Sequence, residues 1–259
     1  MIVDLHNHTP LCNHANGKLE DFILKAIETG TKYFGFSDHA PMDFDPKYRM
    51  NFQQMEAYEN EVLGLKEKYK NDINILLGYE VDYLKNKIDT RVLNAKVDYL
   101  IGSVHFINEW GFDNPEFIGN YNKQNIDEIW QKYFDTVQEM AESKFFDIVG
   151  HLDLIKVFKF MPNKNICDIA YDSLVAIKKA DMTVEINVAG FRKPIKEQYP
   201  SIPLLKLCFN LNIPITFGSD AHEPNQVSLF NNNVIKIAKS IGYKECAIFR
   251  NRKREFIKF

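Results

Sequence analysis

The chain has 259 residues, a formal net charge of -3 and a sequence pI near 6.2. A single α/β barrel is about 250 residues long, so the length favours one domain over 1–259 rather than two domains with separate cores. The slightly acidic balance gives no overall basic field for a polynucleotide, so we expect no nucleic acid as a partner.

Cysteine usage and hydropathy indicate a compartment. The four cysteines are widely separated and form no CxxC pair, and the chain opens MIVDLHNH without the features of a secretory signal. Apolar runs such as FFDIVG and YLIGSV have the length of a strand, well below the roughly 18 residues of a membrane span. We therefore expect a cytoplasmic protein with no membrane partner.

Short β-rich runs alternate with longer segments of helical period along the chain. The predicted strands cover residues 2–5, 33–37, 73–78, 99–103, 147–150, 183–187 and 214–218. The predicted helices cover residues 18–29, 52–69, 124–142, 166–180, 201–211 and 225–241, and the gap at 85–96 carries a weaker helical pattern. Seven such units require right-handed parallel crossovers and predict a closed or nearly closed barrel.

The end of the sequence is basic. The run RNRKRE at 250–255 is interpreted as a solvated surface strand or turn, with phosphate binding as the alternative.

All seven histidines come just after a short apolar run that reads as a strand. They are His6, His8, His14, His39, His105, His151 and His222. Side chains at the carboxyl ends of parallel strands meet at one mouth of a barrel, so these distant residues can share one pocket. The pattern predicts a multinuclear metal site.

The spacing of individual residues supports this prediction. His6 and His8 lie on the same face of an extended strand, about 6–7 Å apart at Cα, although such a pair alone is at least as often a core or surface feature. Asp220 and His222 repeat the spacing at the last strand. Glu80 ends the apolar run INILLGY, where a buried charge without a partner would be costly.

Imidazoles with bridging carboxylates suit zinc, iron or manganese and do not select among these metals. Cys12 lies two residues before His14 and is a further candidate ligand. A small buried residue is the favoured interpretation of Cys12, because cysteine packs well in cores.

Seven motifs in order resemble those of the polymerase and histidinol phosphatase (PHP) superfamily, and the likeness is greatest to its monofunctional histidinol-phosphate phosphatases. The motifs are DLHNHT with PLCNH, FSDHAP, GYEVDY, GSVHF, GHLDLI, EINVAGFRKP and GSDAHEP, and they span about residues 1–250. The resemblance implies an α/β fold, a distorted (β/α)7 TIM-like barrel that holds three divalent metal ions.

The resemblance also implies which residues hold each ion. The first set is His6, His8, Glu80 and Asp220; the second is Glu80, His105 and His151; the third is His14, His39 and His222. All nine positions carry a usable ligand, which favours a working enzyme.

The activity implied is hydrolysis of L-histidinol phosphate to L-histidinol and phosphate in histidine biosynthesis, by in-line attack of a metal-activated hydroxide. The partner is then a small phosphorylated substrate. The alternative is a PHP phosphoesterase that acts on another small phosphomonoester or on a nucleic-acid end. A metal-storage or structural role does not explain an open mouth with a complete ligand set.

Basic residues near the mouth are candidates for phosphate binding. Arg192 in AGFRKP is the first, because a planar guanidinium matches two phosphate oxygens; a surface arginine is the alternative. Lys156 and Lys159 follow His151 and are expected to supplement Arg192; the alternative for either one is a merely solvated lysine.

Acidic and polar residues beside the ligands are candidates for orienting an imidazole or receiving a proton from water. Asp38 precedes His39 and Asp153 follows His151, and both are predicted to act in catalysis in this way. Glu185 and Asn187 point the same way from the sixth strand, and one of them is alternatively a satisfied polar group of the barrel core.

The aromatic loop 106–123 follows His105 and is predicted to contact the substrate. The residues expected to wall an imidazole pocket are Trp110, Phe112 and Phe117, and those expected to meet an amine are Glu109, Asp113 or Glu116. The alternative is a lid that packs on itself.

Overall fold

The structure is a computed structural model and describes residues 2–259. Its strands are β1 (Val3–Asp4), β2 (Tyr33–His39), β3 (Asn74–Asp82), β4 (Tyr99–Ser103), β5 (Phe106–Ile107), β6 (Trp110–Gly111), β7 (Ile148–Val149), β8 (Thr183–Asn187), β9 (Ile215–Gly218), β10 (Glu245–Arg250) and β11 (Lys253–Lys258). Its helices are α1 (Leu19–Glu28), α2 (Met55–Lys68), α3 (Thr90–Leu93), α4 (Ile126–Ser143), α5 (Ile166–Lys179), α6 (Ile202–Asn210) and α7 (Asn231–Ile241).

Seven parallel strands form the barrel, in the order β1-β2-β3-β4-β7-β8-β9. The last strand returns to the first: the amide of Leu5 donates to Phe217 O at 2.9 Å, and Asn7 forms a parallel bridge with Ala221. The predicted (β/α)7 TIM-like barrel is therefore confirmed.

The predicted elements differ from the structure mainly at their ends. Pairing of β2 with β3 continues to His39 opposite Glu80, so these two residues lie within strands rather than after them. Helix α7 begins at Asn231 instead of 225, because Pro224–Gln226 forms a separate 3-10 turn. The segment 85–96 holds only the single turn α3. Among the helices of residues 2–259, none combines the length and apolar character needed to span a bilayer.

Side-chain caps fix where two long helices begin. Asn125 accepts a hydrogen bond from the amide of Asp127, and Asn165 accepts one from the amide of Cys167. Such caps satisfy backbone donors that the first turn leaves free. They set the starts of α4 and α5, which pack against each other outside the barrel.

The antiparallel hairpin β10–β11 closes the end of the barrel where the strands begin. Residues Cys246–Phe249 are buried and share one apolar cluster with strand residues such as Val3, Ile101 and Ile148. Thr216 Oγ1 donates to Ala247 O at 2.8 Å. The site must therefore lie at the opposite end.

The basic run 250–255 covers the last residue of β10, the turn and the start of β11, as the first interpretation predicted. Arg252 pairs with Asp147, and Arg254 Nη2 donates to Asp181 Oδ1 at 2.6 Å. These arginines bind carboxylates of the barrel end, which gives no support to the phosphate-binding alternative.

Removing a buried side chain from the hairpin should lower the stability of the protein without changing turnover. Ile248 is fully buried, so we expect Ile248→Ala to lower the free energy of unfolding by about 2–5 kcal/mol through lost burial and the cavity that remains. Phe256→Ala is the matched control on the same hairpin, because Phe256 is 48% exposed, and it should change stability by less than about 0.5 kcal/mol. Urea unfolding measures the free energy of unfolding of both variants. An effect of Ile248→Ala as small as that of Phe256→Ala would mean that the hairpin is not part of the core.

Candidate active site

Glu80 is the centre of the mouth formed by the strands' carboxyl ends. Its side chain is 1% exposed, and five imidazoles approach its carboxylate. The nitrogen atoms are His151 Nε2 at 2.9 Å, His39 Nδ1 at 3.0 Å, His6 Nε2 at 3.4 Å, His8 Nε2 at 3.6 Å and His105 Nε2 at 3.8 Å. The site opens into a cavity of about 790 Å³.

Candidate ligand atoms group into compact sets around Glu80. Within each set the atoms lie within 4.8 Å of one another, and the sets are His6, His8 and Glu80; Glu80, His105 and His151; and His14, His39 and His222. Asp220 adjoins the first set, because its Oδ1 is 3.2 Å from His8 Nε2. The structure thus brings together all nine residues of the predicted ligand sets.

Several of these nitrogen atoms have no hydrogen-bond partner among residues 2–259. They are His6 Nε2, His8 Nε2 and His39 Nδ1, all buried although a carboxylate oxygen is near. Buried polar atoms almost always have a partner, and a cation shared between imidazole and carboxylate would supply one. The residues present therefore fit divalent zinc, iron or manganese.

A separate partner holds the Nδ1 atom of most of these rings. The pairs are His6 with Glu185 Oε1 at 2.8 Å, His8 with Asp38 Oδ1 at 3.3 Å, His14 with Cys12 O at 2.8 Å, His222 with Asp220 O at 3.1 Å, and His105 with Asp82 Oδ1. Such contacts fix the tautomer and leave Nε2 directed toward the shared cluster.

Small and strained residues allow this crowding. A Cβ on Gly218 would lie 1.9 Å from Glu185 Oε1 and 2.6 Å from the Cβ of His6, so only glycine fits there. Asp220 has a φ of 52°, a left-handed conformation that aspartate tolerates better than most residues. Asp4 Oδ1 accepts a hydrogen bond from the amide of Ser219 at 2.8 Å and holds this turn.

Charge coupling inside the site is strong. Burial alone would raise the pKa of Glu80, but the imidazoles of His6 and His39 outweigh it and hold that pKa well below its usual range. Burial opposes protonation of His8 and His105, yet neighbouring carboxylates raise the pKa of His8 to about 9 and the pKa of His105 to about 10. Without metal, His8 and His105 therefore retain protons at neutral pH, whereas burial lowers the pKa of His14, His39 and His222 and favours their neutral form.

Residues 4–189 match the family described as the PHP domain. The chain belongs to the PHP family. It is 33% identical to a probable histidinol-phosphatase of Deinococcus radiodurans over 98% of both chains. It is 28% identical to the histidinol-phosphatase of Bacillus subtilis, over 86% of this chain and 94% of that one.

A solved structure shows the same fold. It is the histidinol phosphate phosphatase of Lactococcus lactis, complexed with zinc, L-histidinol and phosphate. The TM-score is 0.82 at 22% identity, and the match covers 98% of each chain. The resemblance of the sequence motifs to PHP histidinol phosphatases is confirmed.

Arg192, the candidate for phosphate binding, lines the cavity of this PHP site. Its Nη2 donates to Ser219 O at 2.9 Å and to Asp220 O at 2.8 Å. Nη1 is buried and has no partner among residues 2–259.

The other predicted basic residues lie elsewhere. Contrary to the prediction, Lys156 is fully buried and donates to Glu197 Oε2 at 3.0 Å and Gln198 O at 2.8 Å, outside the cavity wall. Lys159 is exposed and does not line the cavity. An ammonium held this way is a structural crosslink rather than a substrate contact.

Asp38 and Asp153 differ in position. Asp38 contacts His8, and its Oδ1 also accepts the amide of His39 at 2.9 Å, so it orients ligands from behind. Asp153, contrary to the prediction, pairs with Lys156 at 3.0 Å and with the amide of Ser201 at 2.8 Å. Neither carboxylate lines the cavity, so contact with a reacting water is not indicated.

The aromatic loop partly packs on itself, the alternative named above. Phe112 is a core residue whose ring meets Tyr133 edge-on at 5.4 Å, so it does not wall a substrate pocket. Trp110 packs on Tyr121 at 4.8 Å, and Glu116 is exposed at the loop edge; both lie outside the cavity wall. The loop residues that do line it include Glu109, Asp113 and Phe117.

Sequence reasoning missed Asp82 and Arg49. Asp82 follows Glu80 by two residues in β3, so strand alternation places both on one face, and this spacing could have indicated its contact with His105.

Cys12, the other candidate ligand, has Sγ within 4.8 Å of nitrogen atoms of His8 and His222. Burial raises the pKa of its thiol, which favours the interpretation as a small buried residue.

Metal affinity should rise with pH. A metal ion must displace the protons that His8 and His105 retain up to pH values near 9 and 10. Below those values, metal affinity should therefore rise about tenfold per pH unit for each proton that is displaced. Competition with a chelating dye from neutral to mildly alkaline pH measures this. An affinity that does not change with pH would show that these imidazoles are already deprotonated or do not bind.

Proposed function

We propose that this PHP protein is a metal-dependent phosphomonoesterase that hydrolyses L-histidinol phosphate to L-histidinol and phosphate in histidine biosynthesis, with residues 1–259 acting as one domain. The observation that carries the proposal is the convergence of all nine candidate ligands, with Glu80 at their centre. It occurs in a chain whose full-length relatives include histidinol-phosphatases.

The proposed cofactors are three divalent ions of zinc, iron or manganese, held by the three sets of ligands described above. Such ions would activate water and neutralise charge on the transferring phosphoryl group. The buried imidazole nitrogen atoms without partners support this assignment, as does the zinc in the Lactococcus lactis structure.

Arg192 is the proposed phosphate-binding residue. Its Nη2 donates to two backbone carbonyls, and these bonds hold the guanidinium in place. Nη1 has no partner among the described residues and would donate to a phosphate oxygen. Charge-assisted bonds of this kind are short and strong. Because the clamped carbonyls belong to Ser219 and Asp220, Arg192 also links phosphate binding to a ligand residue.

The remainder of the cavity suits a cationic substrate with an aromatic ring. Glu109 and Asp113 supply carboxylates that would attract an ammonium group, and Phe106, Phe117 and Tyr199 supply aromatic surface for an imidazole. The same carboxylates would repel the backbone of a polynucleotide, which supports a small substrate.

A substrate panel tests the proposal. The metal-loaded enzyme should hydrolyse histidinol phosphate with a specificity constant at least about tenfold above that for glycerol phosphate or for an imidazolylalkyl phosphate without the amine, because a site built to bind an amine disfavours an analogue that lacks it. The chelator-stripped protein is the control and should be inactive. Equal rates across the panel would remove the specific substrate and leave the phosphatase class.

Arg192→Gln should weaken substrate binding while metal content stays normal. Loss of a charged hydrogen bond costs about 1.5–3 kcal/mol, or about a 10- to 100-fold lower specificity constant. Arg192→Lys keeps the charge but not the fork, and should restore part of the loss. Unchanged kinetics in the Gln variant, or loss of its metals, would assign Arg192 a structural role instead.

A further inference from the structure

The loop 43–49, between β2 and α2, covers one side of the substrate cavity. Its residues on the cavity wall are Phe44, Asp45, Tyr48 and Arg49. Most of the loop is at least partly exposed, but the side chain of Arg49 turns inward and is only 4% exposed. A buried guanidinium requires specific partners.

The guanidinium of Arg49 contacts two acidic residues at once, Asp82 and Asp45. Nη1 donates to Asp82 Oδ2 at 2.5 Å. Nε donates to the backbone oxygen of Asp45 at 2.7 Å, and Nη2 lies 3.6 Å from Asp45 Oδ2. The rigid fork of a guanidinium allows this, whereas a single ammonium group does not.

The contact with Asp82 connects Arg49 to a candidate metal ligand. The other oxygen of Asp82, Oδ1, contacts His105 Nδ1, and the opposite nitrogen of that ring faces Glu80 and His151. A carboxylate behind a ligating imidazole fixes the ring and its tautomer. Because Asp82 is 3% exposed, Arg49 supplies the positive charge that keeps this buried carboxylate in place.

The contact with Asp45 connects Arg49 to the loop itself. Asp45 has a φ of 51°, so the loop contains a residue in the left-handed region that other contacts must hold. Arg49 holds it through the backbone oxygen and the carboxylate. Asn13 Nδ2 adds hydrogen bonds to the backbone oxygens of Lys47 at 3.2 Å and Arg49 at 3.1 Å.

We propose that Arg49 is a positioning residue that couples metal binding at His105 to the conformation of the 43–49 loop over the substrate cavity. One guanidinium bridges the two, so each should stabilise the other, and such coupling is reciprocal. The inference rests on the metal site of the proposed function but requires no turnover.

Two measurements without substrate test the coupling in the full chain. One is the affinity of chelator-stripped protein for zinc, from competition with a chelating dye. The other is hydrogen exchange of loop 43–49 with and without zinc.

Zinc should slow hydrogen exchange in the loop of the wild-type protein. Arg49→Met should bind zinc about 10- to 100-fold more weakly, the usual effect of losing a ligand-orienting partner, and its loop should exchange quickly whether or not zinc is present.

Arg49→Lys separates the two contacts. Lysine keeps a positive charge opposite Asp82 but cannot also hold Asp45, so zinc affinity should recover to within about threefold of wild type while the loop still exchanges quickly. Lys47→Met is the matched control on the same loop, because Lys47 is exposed, and it should leave both readouts unchanged.

The coupling is overturned if Arg49→Met binds zinc normally and its loop still responds to zinc. If Arg49→Met does not fold, Arg49→Lys decides: wild-type exchange of its loop would overturn the proposal. A wild-type enzyme that fails on histidinol phosphate but shows the zinc-dependent loop would contradict the proposed substrate and leave the role of Arg49 intact.

Discussion

The structure depends on a carboxylate that is buried where a lone charge would be very costly. Glu80 lies on the third strand of the barrel and is 1% exposed, yet five imidazoles surround it within 3.8 Å. Neither the imidazoles nor the carboxylate is stable there without the other, because each is removed from water. This mutual requirement fixes the positions of residues that are far apart in the sequence and gathers the candidate metal ligands at one mouth.

The remainder of the fold keeps this centre rigid. Carboxylates such as Glu185, Asp38 and Asp82 hold rings from behind, and Gly218 gives the space that one of these pairs requires. The C-terminal hairpin fills the opposite end of the barrel with apolar side chains. In the loops above the mouth, Arg49 and Arg192 line the cavity and contact Asp82 and Asp220, which lie beside or among the candidate ligands.

Much of this arrangement could be predicted from the sequence. Strand periodicity, and histidines after five of the seven apolar runs, were sufficient for the barrel and for a shared mouth, because parallel strands bring their carboxyl ends together. The orientation of loop residues could not be predicted in the same way. Phe112 points into the core and Lys156 into a buried ion pair with Asp153, since packing between loops, not a local period, decides where such side chains point.

The most direct test of a multinuclear centre built on Glu80 is anomalous diffraction from crystals of the active enzyme, with data at the zinc, iron and manganese edges. We expect three peaks, one beside each set of histidines, with the Glu80 carboxylate between two of them. Fewer peaks, or none, in crystals of a preparation with full activity would contradict this centre.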